Sequence, residues 1–239
     1  MVFYIWVKSK VIENLFSYIS GYADYLPFAL FLLFIGKLRS EKGLWIIFAY
    51  CSVSILGDLL FTTLESLPPD ASRYYNSFLT FFEYICFSGF IWLSVRNKIM
   101  RRIILLFSLA FITFLAFYFF TAKRSRIDSI PIGVETLLIL SFSFYLLFEM
   151  SNLIKDSYIN YNYRFWVVIG FMLYLSGSFF IYLYANQLAP GEGRKFAVLI
   201  DIFYILKNIF FAIAMIICYR QPKPKNPPSS IPFLDLDVR

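Results

Sequence analysis

Six ionisable residues stand inside stretches that are otherwise apolar: Asp24, Asp58, Glu83, Glu135, Asp201 and Lys207. A charge at the centre of a bilayer costs about 3 kcal/mol on insertion scales, so such residues turn inward, pair with one another and mark binding sites, acid–base pairs or proton paths. Five carboxyls cannot all ionise beside one lysine in a low dielectric, so some are expected to be protonated at neutral pH. Residues three and four apart share a helix face, which puts Asn76, Thr80 and Glu83 on one stripe and Tyr174, Ser178 and Tyr182 on another. Lys207 adjoins Tyr204 but lies about 120° round the helix from Asp201, so its partner is expected on another helix, with Glu83 or Asp58 the candidates. The candidate ligand-binding set is therefore Asp58, Asn76, Thr80, Glu83, Glu135, Tyr174, Ser178, Asp201, Tyr204 and Lys207. The competing reading is that these are structural contacts between helices, with Asp24 and Glu135 simply near a wet outer interface.

The elements that must position them follow from composition. Sixty per cent of the 239 residues are hydrophobic, 22% are aromatic and 15% are charged, against about 25% charged in an ordinary soluble domain. A membrane-crossing helix needs about 20 mostly apolar residues. Apolar run length predicts seven: 17–36, 44–63, 75–95, 103–121, 131–149, 165–185 and 196–219. The expected fold is thus an all-α polytopic bundle of seven transmembrane helices over 17–219, with no room for a separate soluble domain. Residues 1–16, which carry Lys8, Lys10 and Glu13 and have no small-residue cleavage site, read as an interfacial segment rather than a removable signal peptide. Residues 220–239 are rich in proline and lysine and read as a disordered cytoplasmic tail. Gly57 and Gly177 suit close helix approach.

Orientation follows from lysine and arginine, which cytoplasmic loops retain. Twelve fall on one side (in 37–42, 96–102, Lys155, Arg164 and beyond 219) and eight on the other. That balance puts the amino end outside and the carboxyl end in the cytoplasm. The six ionisable residues then lie between the outer surface and the midplane. Lys207 is deepest, eleven residues past Phe196, or about 16 Å at the helical rise. The expected picture is a polar cavity open to the outside.

Histidine is absent, which removes histidine-based acid–base catalysis, Ser-His triads, and histidine-ligated metals and haem. Neither metal nor other cofactor is expected. Cys51, Cys86 and Cys218 lie in apolar spans as small hydrophobes and form no disulfide framework. The net charge of +7 sits in loops, where it orients the chain in a membrane, so nucleic acid is not an expected partner.

The run Phe165-Trp166 through Gly170, Tyr174, Gly177 and Phe179, followed by Asp201 to Ala214, resembles the seven-helix membrane sensor regions of bacterial histidine kinases and related standalone proteins. The resemblance implies a protein of a bacterial cytoplasmic membrane, surrounded by lipid, that binds a small molecule or lipid in its outer half and signals to a separate cytoplasmic partner. Ser54-Ile55-Leu56-Gly57-Asp58 is similar to a Ser-x-x-Gly-Asp segment of the membrane lysoplasmalogenase family. That likeness implies lipid hydrolysis with Asp58 and Glu83 as acid and base, although the family's later aspartate is missing at Ser176-Gly177. A lysine midway along a seventh helix also allows a retinal Schiff base on Lys207 with Glu83 as counterion, and acids within a bundle also serve transporters.

Overall fold

The computed structural model describes residues 14–63, 69–121, 129–153, 159–184 and 193–221. The interfacial segment up to residue 13, the turn at Pro68, the connector before Pro131, the turn at Pro190 and the tail from residue 222 lie outside them. Within the described residues every regular element is helical and no strand occurs. In chain order these are α1 (14–22), α2 (Tyr25–Leu33), α3 (Ile35–Leu38), α4 (Lys42–Thr63), α5 (Pro69–Ser94), α6 (Lys98–Thr121) and α7 (Ser129–Leu153). After a short 3-10 turn at Ile159–Tyr161 come α8 (Tyr163–Tyr184) and α9 (Gly193–Arg220).

Five helices are long and apolar enough to cross a membrane, over Lys42–Leu60, Lys98–Tyr118, Ile130–Asn152, Tyr163–Ile181 and Phe196–Arg220. They coincide with five of the seven predicted spans. The chain is accordingly of integral, multi-pass membrane type. The predicted third span differs in that its apolar stretch is shorter, Phe78–Ser94, within the 26 residues of α5.

The predicted first span is divided twice. Pro27 has no N–H to give to Ala23, and its ring would crowd that carbonyl, so an unbroken helix cannot run through it. The chain turns at Ala23-Asp24, where Leu26 N–H takes the Ala23 oxygen at 3.3 Å and Phe28 N–H takes the Asp24 oxygen at 3.2 Å. Pro27 then sits in the first turn of α2, where a missing donor costs nothing. At the second break, Phe34 N–H still bonds Leu30 and Leu38 N–H still bonds Phe34, both at 3.0 Å. The three pieces therefore continue one another as a kinked rod.

Neighbour contacts close a ring in the order α2, α4, α5, α7, α8, α9 and back to α2. α6 stays outside it, against α5 and α7. Lipid tails are as apolar as leucine, so helix association in a membrane rests on close packing and polar contacts rather than on water exclusion. The packing is visible in Phe87 stacked on Phe171 at 4.7 Å and Phe31 on Phe48 at 4.5 Å. Between α8 and α9 it depends on small residues: a Cβ on Gly170 would lie 3.0 Å from the Phe210 Cβ and 3.2 Å from the Lys207 carbonyl oxygen. One on Gly177 would overlap the Phe203 ring. Cys51, Cys86 and Cys218 are buried free thiols.

One end of the bundle is tied by its own polar contacts. Tyr163 donates to Glu41 at 2.7 Å, Arg164 lies 3.9 Å from the same carboxylate, the Lys37 ammonium donates to the Tyr219 carbonyl, and the Gln221 amide donates to the Tyr161 carbonyl. Glu149, at the end of α7, accepts the backbone N–H groups of Arg96 and Asn97, both at 2.9 Å. It thereby satisfies orphan donors at the start of α6 from another helix. Glu149→Ala should cost about 1 to 2 kcal/mol, as loss of a good helix cap does, and appear as a fall of a few degrees in the thermal unfolding midpoint. Glu149→Gln, which keeps one acceptor oxygen, should fall between the two.

Candidate functional site

The centre of the ring is occupied by Lys207, whose side chain is wholly buried, with 0% exposed. Its ammonium donates to the Tyr50 hydroxyl at 2.6 Å, and that hydroxyl donates onward to the Glu83 carboxylate at 3.1 Å. Lysine and glutamate are thus joined through a phenol. A second arm runs the other way. The ammonium lies over the Tyr204 ring, 3.8 Å from its centroid, and the Tyr204 hydroxyl donates to Asp24. The rings of Tyr50 at 4.4 Å, Tyr174 at 4.7 Å and Phe211 at 6.0 Å complete a cage around the cation. A ring face attracts a cation through its quadrupole, most strongly where water is excluded.

Local sequence explains each arm. Asp24 is the residue before α2, a position where aspartate ordinarily caps its own helix. Here it makes no such bond, and the break forced by Pro27 turns its carboxylate toward α9, where it is 3% exposed. Tyr50 and Ser54 are one helical turn apart on α4, and Ser54 shares a hydrogen bond with the Tyr204 hydroxyl. Glu83 and Asp24 are the carboxyls linked to Lys207, each through one intervening tyrosine. Glu135, on α7 and 2% exposed, comes within electrostatic reach of Glu83 and leaves Oε1 without a hydrogen bond. Four of the six ring helices contribute directly to this cluster, α4, α5, α8 and α9, and α7 brings Glu135 near it. α2 is held to it by Asp24 at its head.

No protein-family model, curated protein or solved structure matches this chain. Its chemistry is therefore read from the geometry alone.

Of the sequence-derived candidates, the fold gathers Glu83, Glu135, Tyr174, Tyr204 and Lys207. Asp58 lies at the margin, on an outward part of α4. Thr80 is half-buried one turn before Glu83. Asp201 serves a different contact, accepting the Ser20 hydroxyl at 2.7 Å and so tying α1 to α9. Ser178 is buried, with its hydroxyl bonded back to the Tyr174 carbonyl at 2.6 Å. The side chains of Asn76 and Tyr182 lie outside the described residues. Two participants, Tyr50 and Asp24, were absent from the candidate set. Proline three residues after Asp24 was the signal for one, and the Tyr50, Ser54, Asp58 spacing for the other.

Among the described residues, Lys207 is enclosed by the rings of Tyr50, Tyr174, Tyr204 and Phe211. A separate groove of about 500 Å³ lies on the other side of α9, lined by Tyr18, Ile19, Tyr22, Ala23, Leu26, Ile205, Asn208 and Ile209. A retinal linked to Lys207 would have to displace the rings that enclose its amine. Among the described residues, no group of three His, Cys, Asp or Glu side chains is placed to hold a metal ion.

Proposed function

We propose that this protein is a receptor- or sensor-like component of a bacterial cytoplasmic membrane, with seven crossings, the amino end outside and the carboxyl end in the cytoplasm. The kinked α1–α3 rod and α5 supply the two crossings beyond the five long apolar helices. A small molecule or lipid binds in the outer half, and a separate cytoplasmic partner reads the basic end.

The observation that carries this reading is the convergence of α4, α5, α8, α9 and the head of α2 on one buried cation. A ligand shifts a conformational equilibrium only by binding one arrangement more tightly than another. Here Lys207 on α9 touches α4 through Tyr50 and α8 through Tyr174, and reaches α5 and the head of α2 through Tyr50–Glu83 and Tyr204–Asp24, so a displacement of these helices against α9 alters its surroundings. Local binding is thereby coupled to the arrangement of these helices. The contacts at the basic end, including Glu41 with Tyr163 and Gln221 with Tyr161, join the segments that such a movement would shift.

The test is a spin-label distance measurement across that end, with labels on Arg39→Cys and Tyr161→Cys, both at exposed positions. The native thiols are buried, so the labels go to the introduced cysteines. In nanodiscs of native membrane lipid extract and of synthetic phosphatidylcholine alone, the protein should divide differently between two separations. In the Tyr50→Phe background the two lipid conditions should give the same distribution. A single distribution in otherwise unaltered protein under both conditions would remove the sensor reading.

A further inference from the structure

The groove between α1–α2 and α9 is lined in part by a residue with an unmet acceptor. Asn208 lines it, is 1% exposed, and uses its amide Nδ2 to donate to the Tyr204 carbonyl at 3.3 Å. Its Oδ1 is buried with no hydrogen-bond partner. A carbonyl oxygen left so in an apolar setting carries a desolvation penalty that a donor would remove. The remainder of the lining is apolar apart from two tyrosines, and Tyr22, Leu26 and Ile209 are exposed on the outside of the bundle. Asn208 lies twelve residues past Phe196, about 18 Å along α9 at the helical rise. The groove therefore faces lipid at the depth of the hydrocarbon, where an occupant arrives laterally from the membrane.

We infer that this groove binds a membrane-dissolved long-chain alcohol, with its hydroxyl donating to Asn208 Oδ1 and its chain lying along Ile19, Leu26, Ile205 and Ile209. The chemistry selects a donor. The unmet atom, Oδ1, is an acceptor, so an ether, ketone or ester oxygen placed against it would meet a second acceptor, whereas a hydroxyl satisfies it. The volume falls within the range of small-molecule pockets, about 300 to 1,000 Å³. The inference rests on the sensor reading for its consequence: Asn208 is bonded to the backbone of Tyr204, whose side chain holds Asp24 and stacks on Lys207. Occupancy of the groove thus touches the central cluster through a single residue.

The experiment uses the full chain in nanodiscs and a photoreactive diazirine derivative of a long-chain primary alcohol, with adducts mapped by mass spectrometry. Labelling should fall in residues 18–26 and 205–209. Dodecanol should compete about tenfold better than its methyl ether, the difference made by one buried hydrogen bond, and dodecane should compete no better than the ether. Asn208→Leu should abolish the preference for the alcohol. Leu26→Trp, at an exposed position, should reduce labelling by filling the groove even if Asn208→Leu fails to fold. Equal competition by alcohol and ether, or labelling spread evenly over the lipid-facing helices, would overturn the assignment. Specific labelling with no change in the spin-label separations would leave the groove standing and remove the sensor reading. A separation change without specific labelling would do the reverse.

Discussion

Lys207→Met is expected to lower the thermal unfolding midpoint of the solubilised protein by about 10 °C. Removing one member of a buried charge network leaves its partners desolvated without compensation, at a cost of roughly 3 to 5 kcal/mol. A domain of this size loses about 2 to 4 °C for each of those. Methionine fills similar space, so packing alone does not produce the loss. The informative comparison is the cycle with Glu83→Gln, followed by circular dichroism. Since Tyr50 bridges the two side chains at 2.6 and 3.1 Å, the double variant should be clearly more stable than the sum of the single losses implies. Strict additivity would mean that Lys207 and Glu83 do not belong to one network.

The second large effect concerns the contact of α8 with α9. Gly170→Leu must push α9 away as a unit, because the atoms a side chain would meet include the Lys207 backbone oxygen, which no rotamer change can move aside. Overpacking of this kind costs about 1 to 3 kcal/mol, and here it falls beside the caged ammonium. A drop of about 5 °C or more is expected. Gly89→Ala is the control, as its new Cβ meets only the Ile46 Cδ1 at an ordinary 3.7 Å, and it should leave the midpoint nearly unchanged. Equal behaviour of the two variants would show that α8 and α9 do not approach as closely as the fold places them.

Much of the architecture was legible because apolar run length is a direct consequence of bilayer thickness. Five spans follow from it, and Lys207 beside Tyr204 follows from helical spacing. The first span was harder, since Pro27 within an apolar run reads as tolerable until its effect on the Ala23 carbonyl is considered. That break decides where Asp24 points, and for the same reason the sequence left Asp24 open between a place at the wet interface and one inside the bundle. Tyr50 is one of 18 tyrosines, and apolar helices surrounded by lipid carry little contrast between inward and outward faces. The peripheral place of α6 is hidden likewise. Asp201 entered the candidate set as an acid within an apolar run, and the 120° between it and Lys207 already set it apart from the lysine; its contact is with Ser20. Glu135 was found by its burial cost alone, which says that it turns inward and not which residue it meets.

The bond between Tyr204 and Asp24 spans 180 residues, which gives the assembly of this bundle a direction in time. At about 5 to 20 residues per second of synthesis, Asp24 waits roughly 10 to 40 s for its tyrosine. Tyr50 waits nearly as long for its lysine, and Glu83 about two-thirds as long. Until α9 arrives, the acids of the earlier helices lack the cation that later gathers them. The last helix thus acts as a keystone, completing every charged contact at the centre in a single late step.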